Sequence, residues 1–335
     1  MRAMSSVLLV LASSFFGVCN AYETDFKNAY VEVLWYGRAD QRVKMIHLKP
    51  DRPSTGTFFS LPGKGSAMSL RAWFFQRILD LGWEVYSLDW REQGESDRCF
   101  SQPEQIDIGH NGFEDYVGDA LELVSWAREN DSPHPWVMFG SSLGGHIGLR
   151  VLEEQQLFDG AIFQAPLCEP KTGVYPLMIA KPIVKLLNWC GISHVVAPGQ
   201  SSVNPLMILR QKAETNEYAR QTVAYYEEFP ERYAWKVTLG WVNALFDSCA
   251  LAMEPDRIRR VNCPALVLVA TQDQVVSPAA CHVLADLLPQ GRAIEFECGH
   301  NINAHSNEVK EAAFEATTEF LDRVLQQHYI GNMAQ

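Results

Sequence analysis

Five residues, Gly140-Ser141-Ser142-Leu143-Gly144, spell G-x-S-x-G, a spacing suited to attack by a serine oxygen on a carbonyl carbon. A serine hydroxyl is a weak nucleophile until it is held exposed on a sharp turn with a base at hand. The two glycines allow such a turn, because no side chain obstructs it. An apolar stretch at 136–139 (W-V-M-F) leads in and a helical pattern leads out, so Ser142 is expected at the tip of a strand-to-helix turn. The start of that helix favours negative charge, as a developing oxyanion requires.

A base and an acid follow in a usable order. Residues 265–270 (A-L-V-L-V-A) read as a buried parallel strand, and T-Q-D-Q places Asp273 on the loop just beyond it. Residues 294–297 read as the next strand, and C-G-H-N places His300 on the loop after that. Each residue alone would be an ordinary loop side chain, a turn carboxylate or a surface histidine. Three suitable types, in order and each just past a buried strand, point to Ser142, Asp273 and His300 as one catalytic set. His305 is a second histidine near the base loop and fits the pattern less well. The oxyanion needs two backbone N–H donors. Leu143 is assigned as one, and Lys64, in the loop Pro62-Gly63-Lys64-Gly65-Ser66 after a strand at 57–61, as the other. The Lys64 side chain is expected to be solvated.

The elements that must position these residues read as alternating strands and helices. Strands are expected at 31–36 and 43–48, an antiparallel start, then at 57–61, 84–89, 136–139, 160–164, 265–270 and 294–297. Helices are expected over 70–81, over 113–129, after the serine, from Ser277-Pro278, and over 308–325. This alternation predicts an α/β fold with a mainly parallel sheet covered by helices on both faces. It breaks between 167 and 260, a helical, aromatic-rich stretch that needs no strand. Its first helix carries Pro176, Leu177, Ile179, Ile183, Val184 and Leu187, and its last Trp235, Leu239, Val242 and Phe246. The expected organisation is therefore a core at 22–166, a helical cap insertion at 167–260 and the rest of the core at 261–335. A cap over Ser142 would put apolar surface beside the nucleophile, and Tyr225, Tyr226, Phe229 and Trp235 are its candidate lining residues.

With 335 residues and 47% hydrophobic content, the chain can bury one large core plus an insertion. Its net charge of −12 argues against nucleic-acid binding and against electrostatic docking on anionic lipid. Residues 1–21 read as a secretory signal: Arg2, an apolar run at 7–18, then Cys19-Asn20-Ala21 before a cut. Export to the periplasm or medium is expected, with a retained N-terminal anchor as the alternative. Seven cysteines would remain, an odd number with no zinc-type spacing, and one or two disulfides among them are left open. His146 and the other histidines lack the spacing of a metal site, so no metal or organic cofactor is expected.

Several segments together resemble the lysophospholipase and monoacylglycerol-lipase branch of the α/β-hydrolases. S-L-D-W-R-E-Q-G-E-S-D-R at 87–98 is similar to its D-x-R-G-x-G-x-S segment, and H-N-G-F-E-D-Y-V-G-D at 110–119 to its H-x-x-x-F-x-D-Y-V-x-D helix start. G-S-S-L-G-G-H, A-T-Q-D-Q-V-V-S-P and C-G-H-N stand where the branch carries its nucleophile, acid and base, and the cap stretch N-P-L-M-I-L-R-Q-K resembles the bacterial lysophospholipases. The resemblance implies an α/β-hydrolase fold, Ser142 as nucleophile, Asp273 as acid, His300 as base, and structural roles for Asp89 and Asp97. Two departures stand out: Pro62-Gly63 replaces His-Gly at the oxyanion loop, and Arg91-Glu92 replaces Arg-Gly. The expected activity is hydrolysis of a carboxylic ester, a lysophospholipid or monoacylglycerol, with transient membrane contact through the cap. Short-chain ester hydrolysis, aminopeptidase-like hydrolysis and a non-catalytic binding protein on the same scaffold are the alternatives.

Overall fold

Strand by strand, apolar side chains alternate between two cores. Phe58, Val85, Val137 and Phe139 point to one face of the sheet, and Phe59, Tyr86 and Met138 to the other, as the two-residue period of a strand dictates. The computed structural model describes residues 26, 29–38, 41–98, 102, 104–109, 111–173, 176–198, 200 and 204–333. Among them the strands are β1 (Ala29–Arg38), β2 (Gln41–Pro50), β3 (Gly56–Leu61), β4 (Trp83–Leu88), β5 (Gln105–Ile106), β6 (Trp136–Ser141), β7 (Gly160–Gln164), β8 (Lys236–Val237), β9 (Ala265–Ala270) and β10 (Gly291–Phe296). Eight of them form one sheet in the order β1-β2-β4-β3-β6-β7-β9-β10. β2 pairs antiparallel with β1 and β4, and the remaining neighbours are parallel.

Helix α1 (Ala72–Asp80) packs on one face together with the C-terminal helix, and helices α2 (Glu114–Glu129) and α3 (Leu143–Glu154) on the other. Leu70, expected within the first helix, lies in the 3-10 turn Met68–Arg71 that precedes it. Strand order reverses between β3 and β6. At such a switch point the loops leaving the two strands diverge and open a crevice beyond their C-terminal ends. The turn carrying Ser142 follows β6, and the loop 62–66 follows β3, so the sheet topology alone brings them together.

Between β7 and β9 lie α4 (Leu177–Trp189), α5 (Pro205–Lys212), α6 (Glu217–Glu228), α7 (Leu239–Ala252) and α8 (Pro255–Ile258). The chain then continues through α9 (Pro278–Leu287) and α10 (Asn307–Met333). The insertion has small cores of its own, one of Val184, Ala197, Leu239 and Phe246, another of Leu206, Val223 and Tyr226. Three expectations for it are corrected. It does contain a strand, because β8 pairs in parallel with β5. Trp235 is not part of a helix with Leu239: Thr238 caps α7, its side chain accepting from the Trp241 N–H, so the helix starts after Trp235. Ile179 and Ile183 do not pack inward but stand exposed on α4 with Met178, Leu186 and Trp189.

The segment 1–21, including the expected cleavage point and Cys19, lies outside the described residues, as does Cys99. The described cysteines are free thiols, all buried except Cys190. Among the described residues no helix is long and apolar enough to cross a membrane.

Candidate active site

Ser142 sits between β6 and α3 at φ 51°, ψ −111°, a left-handed backbone that a serine adopts only under constraint. Its neighbours hold it there. The Ser142 N–H donates to the Gln164 carbonyl at 2.9 Å, and the Ser142 carbonyl accepts from the amides of His146 and Leu167, both at 3.0 Å. The flanking glycines are sterically required. A Cβ at Gly140 would come 2.6 Å from the Gly144 carbonyl oxygen, and a Cβ at Gly144 would overlap the Leu61 carbonyl.

The Ser142 hydroxyl lies 2.9 Å from His300 Nε2, and His300 Nδ1 lies 2.7 Å from Asp273 Oδ2. The other Asp273 oxygen accepts from the amides of Val275 at 2.7 Å and Val276 at 3.0 Å. Burial works to raise the Asp273 pKa, but the contacts with His300 and the two amides outweigh it and hold the carboxyl below its usual value. A buried carboxylate kept ionised in this way favours one imidazole tautomer and stabilises the imidazolium that forms when His300 takes a proton. His305 is exposed on the surface beyond the 3-10 turn Ile302–Ala304. Cys298, two residues before the histidine, is buried, and burial pushes its thiol up to about 11, which keeps it protonated and apolar in character.

The loop after β3 is held from both sides. The Trp90 indole N–H donates to the Pro62 carbonyl at 2.7 Å, Gln93 Oε1 accepts from the Gly65 amide at 2.6 Å, and the Tyr226 hydroxyl donates to the Gly65 carbonyl at 2.9 Å. Gly63 packs against the elbow, where a Cβ would lie 3.5 Å from that of Ser142. Leu143 is the first residue of α3, so its N–H is one of the donors a helix leaves unpaired at its start. The Lys64 side chain reaches into the cleft and donates from Nζ to the Trp235 carbonyl at 3.1 Å. Glu92 takes the place of a glycine in the resembling motif, and it keeps the backbone shape at φ 64°, beside Gly94 at φ 57°. Asp89 accepts from the amides of Met68 at 2.7 Å and Glu95 at 2.9 Å, tying the loop after β4 to the turn before α1. Asp97 pairs with Arg42 at 2.7 Å.

The family model described as Hydrolase_4, serine aminopeptidase S33, matches residues 52–299. The chain belongs to this family. This hydrolase is 24% identical over 265 residues to lysophospholipase L2 of Escherichia coli (strain K12), covering 76% of the chain and 74% of that protein. Among solved structures it resembles a soluble variant of monoglyceride lipase from Saccharomyces cerevisiae (TM-score 0.66, 15% identity, 88% of this chain and 95% of that one). It also resembles a thermostable carboxyl esterase from Bacillus coagulans (TM-score 0.68, 14% identity, 88% and 99%). At these identities the structural likenesses establish the α/β-hydrolase fold.

A cleft of about 350 Å³ lies between the sheet edge and the cap, with Ser142 and His300 in its wall. Tyr226 and Trp235 line it, as expected of a cap over the serine. Tyr225 and Phe229 do not: their rings pack together, centroids 5.3 Å apart, and the Tyr225 hydroxyl accepts from Arg232 at 3.1 Å. One residue along a helix turns a side chain by about 100°, which is enough to take Tyr225 out of the wall that Tyr226 forms. Leu70, Trp73, Phe74, Tyr218 and Tyr233 complete the apolar wall, and Lys310 reaches it from α10. No sequence pattern around Trp73 or Lys310 distinguishes them from helix-surface residues, because only the tertiary fold turns them toward the serine.

His146 is buried behind the elbow and bonds through Nε2 to the Ser248 hydroxyl of α7 at 2.7 Å. Arg150 donates to the same hydroxyl at 2.8 Å. Burial, with Arg150 beside it, pushes His146 down to about 3, so it is neutral and serves the junction between α3 and the cap. Among the described residues no cluster of three or more histidines, cysteines or carboxylates is placed to hold a metal ion.

Proposed function

We propose that the chain is a serine hydrolase of carboxylic esters whose substrate is a lysophospholipid or a monoacylglycerol. The observation that carries this reading is the hydrogen-bonded series Ser142–His300–Asp273, with spacings of 2.9 and 2.7 Å, opening on an apolar cleft. The Ser142 oxygen attacks the ester carbonyl carbon while its proton passes to His300 Nε2. Asp273 holds the imidazolium through Nδ1. The carbonyl oxygen, now an oxyanion, accepts from the backbone N–H groups of Leu143 and Lys64, each worth about 3 kcal/mol in sites of this kind. Collapse expels the alcohol, which takes its proton from His300. Water then gives a proton to His300 and attacks the acyl-serine, and collapse releases the fatty acid as the Ser142 oxygen takes that proton back from His300.

The lipid substrate is supported by the aromatic and aliphatic wall of the cleft and by the named activities of the lysophospholipase and monoglyceride lipase relatives. An aminopeptidase would have to hold a substrate ammonium, and the basic side chains in this cleft disfavour one. Exposed apolar residues on α4, Trp189 at 83% and Met178 at 80%, support transient contact of the cap with a membrane. Export rests on residues 1–21 alone.

The test is fatty-acid release from lysophosphatidylcholine, monoacylglycerol and a short-chain ester by wild type and Ser142→Ala. Serine-dependent release from a long-chain lipid is expected, with the variant slower by about 10⁴-fold or more. Turnover of the short ester alone would remove the lipid from the reading. No labelling of folded wild type by a fluorophosphonate would overturn the enzyme.

A further inference from the structure

The chain carries a net charge of −12, yet the wall around Ser142 carries the opposite sign. Lys64, Arg71 and Lys310 all line the cleft, and Glu217 is its one carboxylate among the described residues. That carboxylate is already engaged by Arg220 and by the Gln221 amide, the latter at 2.9 Å.

Lys64 is the most telling of the three. It stands in the loop after β3, one residue from the glycine packed on the elbow. Its side chain is exposed to solvent, and the one hydrogen bond the structure gives it is to a neutral carbonyl, that of Trp235 at 3.1 Å. Two of its three N–H donors are thus left for something in the cleft. Protein crowded around it, with no counter-charge beside it, pushes it down to about 8. Lys310 lies with Nζ 3.7 Å from the centroid of the Trp73 ring, which also lines the cleft. Glu311 and Arg77 act on that cation in opposite senses, and the ring holds it in place without neutralising it. A neutral monoacylglycerol would leave the two spare Lys64 donors with no anion to meet.

We propose that Lys64 and Lys310 form a subsite for a phosphate group on the alcohol half of the ester, so that the preferred substrate is an anionic lysophospholipid. This rests on the ester-hydrolase reading above and narrows it. A phosphate offers several acceptor oxygens and up to two negative charges, and charge-assisted hydrogen bonds to it are the strong kind.

The test compares three substrates with one oleoyl chain: lysophosphatidic acid, lysophosphatidylcholine and monooleoylglycerol. The readout is the ratio of kcat/KM for lysophosphatidic acid to that for monooleoylglycerol, in the full chain and in Lys64→Met, Lys64→Arg and Lys310→Met. Loss of one charged hydrogen bond corresponds to about 10- to 100-fold. The ratio should fall by about that much in Lys64→Met, mostly through KM, fall less in Lys310→Met, and be largely kept in Lys64→Arg. The ratio cancels any general damage to the loop. An unchanged ratio, or equal loss on both substrates, overturns the subsite.

A second measurement does not need turnover. Calorimetric titration of Ser142→Ala with hexanoyl-lysophosphatidic acid, glycerol 1-phosphate and inorganic phosphate should give binding that weakens across that series and is weaker again when Lys64→Met is added. Equal binding of inorganic phosphate and the lipid would make the site one for free phosphate and overturn the lipid subsite. Phosphate binding without turnover of any ester would keep the subsite and sink the hydrolase reading instead.

Discussion

On the sheet side of the cleft, the reacting groups are held by hydrogen bonds within the sheet and the loops that leave it. Ser142 is locked by amide and carbonyl bonds from β7 and α3, Asp273 by two amides, and the 62–66 loop by Trp90 and Gln93. On the cap side, the wall consists of side chains carried on helices whose own cores are a few residues each, with much of α4 facing outward. The contrast separates two tasks. Positioning within a fraction of an ångström is assigned to the part of the molecule that deforms least, and shape matching to the part that repacks most easily. Damage on the sheet side should therefore abolish turnover, and damage on the cap side should redirect it.

The largest effect is expected from Asp273→Asn, which removes the charge that orients His300. A fall in kcat of about 10⁴-fold, with KM little changed, is expected in steady-state ester hydrolysis. A loss under ten-fold would mean that the backbone, not Asp273, orients the base. Gly144→Ala comes next, because its new Cβ meets the backbone of Leu61 and Pro62 rather than a movable side chain. Thermal unfolding should show about 1–3 kcal/mol of destabilisation, and the residual activity should fall further than that alone explains.

A cap substitution should behave differently. Trp235→Ala is expected to shift the preferred acyl length across a series of p-nitrophenyl esters by a few-fold in kcat/KM, each methylene counting for about 1–3 kcal/mol at most. If the whole series drops uniformly instead, the distinction between the two walls fails. The smallest effect concerns pH. Asp273 has a folded pKa below its ordinary 3.8, so the folded state favours the carboxylate. The stability this gives is complete above the unfolded value and is lost as pH falls through the folded one. The difference in melting temperature between wild type and Asp273→Asn should narrow below about pH 4. A constant difference would show that His300 and the two amides do not hold the carboxylate.

The same division governs what could be read from the chain. Backbone-built parts were legible: continuous apolar runs such as 265–270 have one plausible fate as buried strands, and Gly140 and Gly144 are demanded by a single turn. Glu92 stands where the resembling motif has glycine, and in the structure it takes a left-handed backbone that its residue type does not announce. Side-chain-built parts were not legible. β8 is too short to show a period, and Trp235 fitted a helical spacing that the Thr238 cap interrupts. Trp73 and Lys310 come from helices far apart in sequence and meet only when α1 and α10 pack on the same face of the sheet.

β7 and β9 are side-by-side parallel strands, so everything between them is one crossover grown long. A sheet needs only about a dozen residues to make that passage. The remainder of the excursion is surplus to closing the architecture, and it can be lengthened, trimmed or exchanged as a cassette while the strands on either side keep their register. Descendants of such a chain can change diet without rebuilding the machine that digests it, provided the graft restores a hydroxyl where Ser248 meets His146 and Arg150, and a hydrogen-bond donor where Tyr226 meets the Gly65 carbonyl.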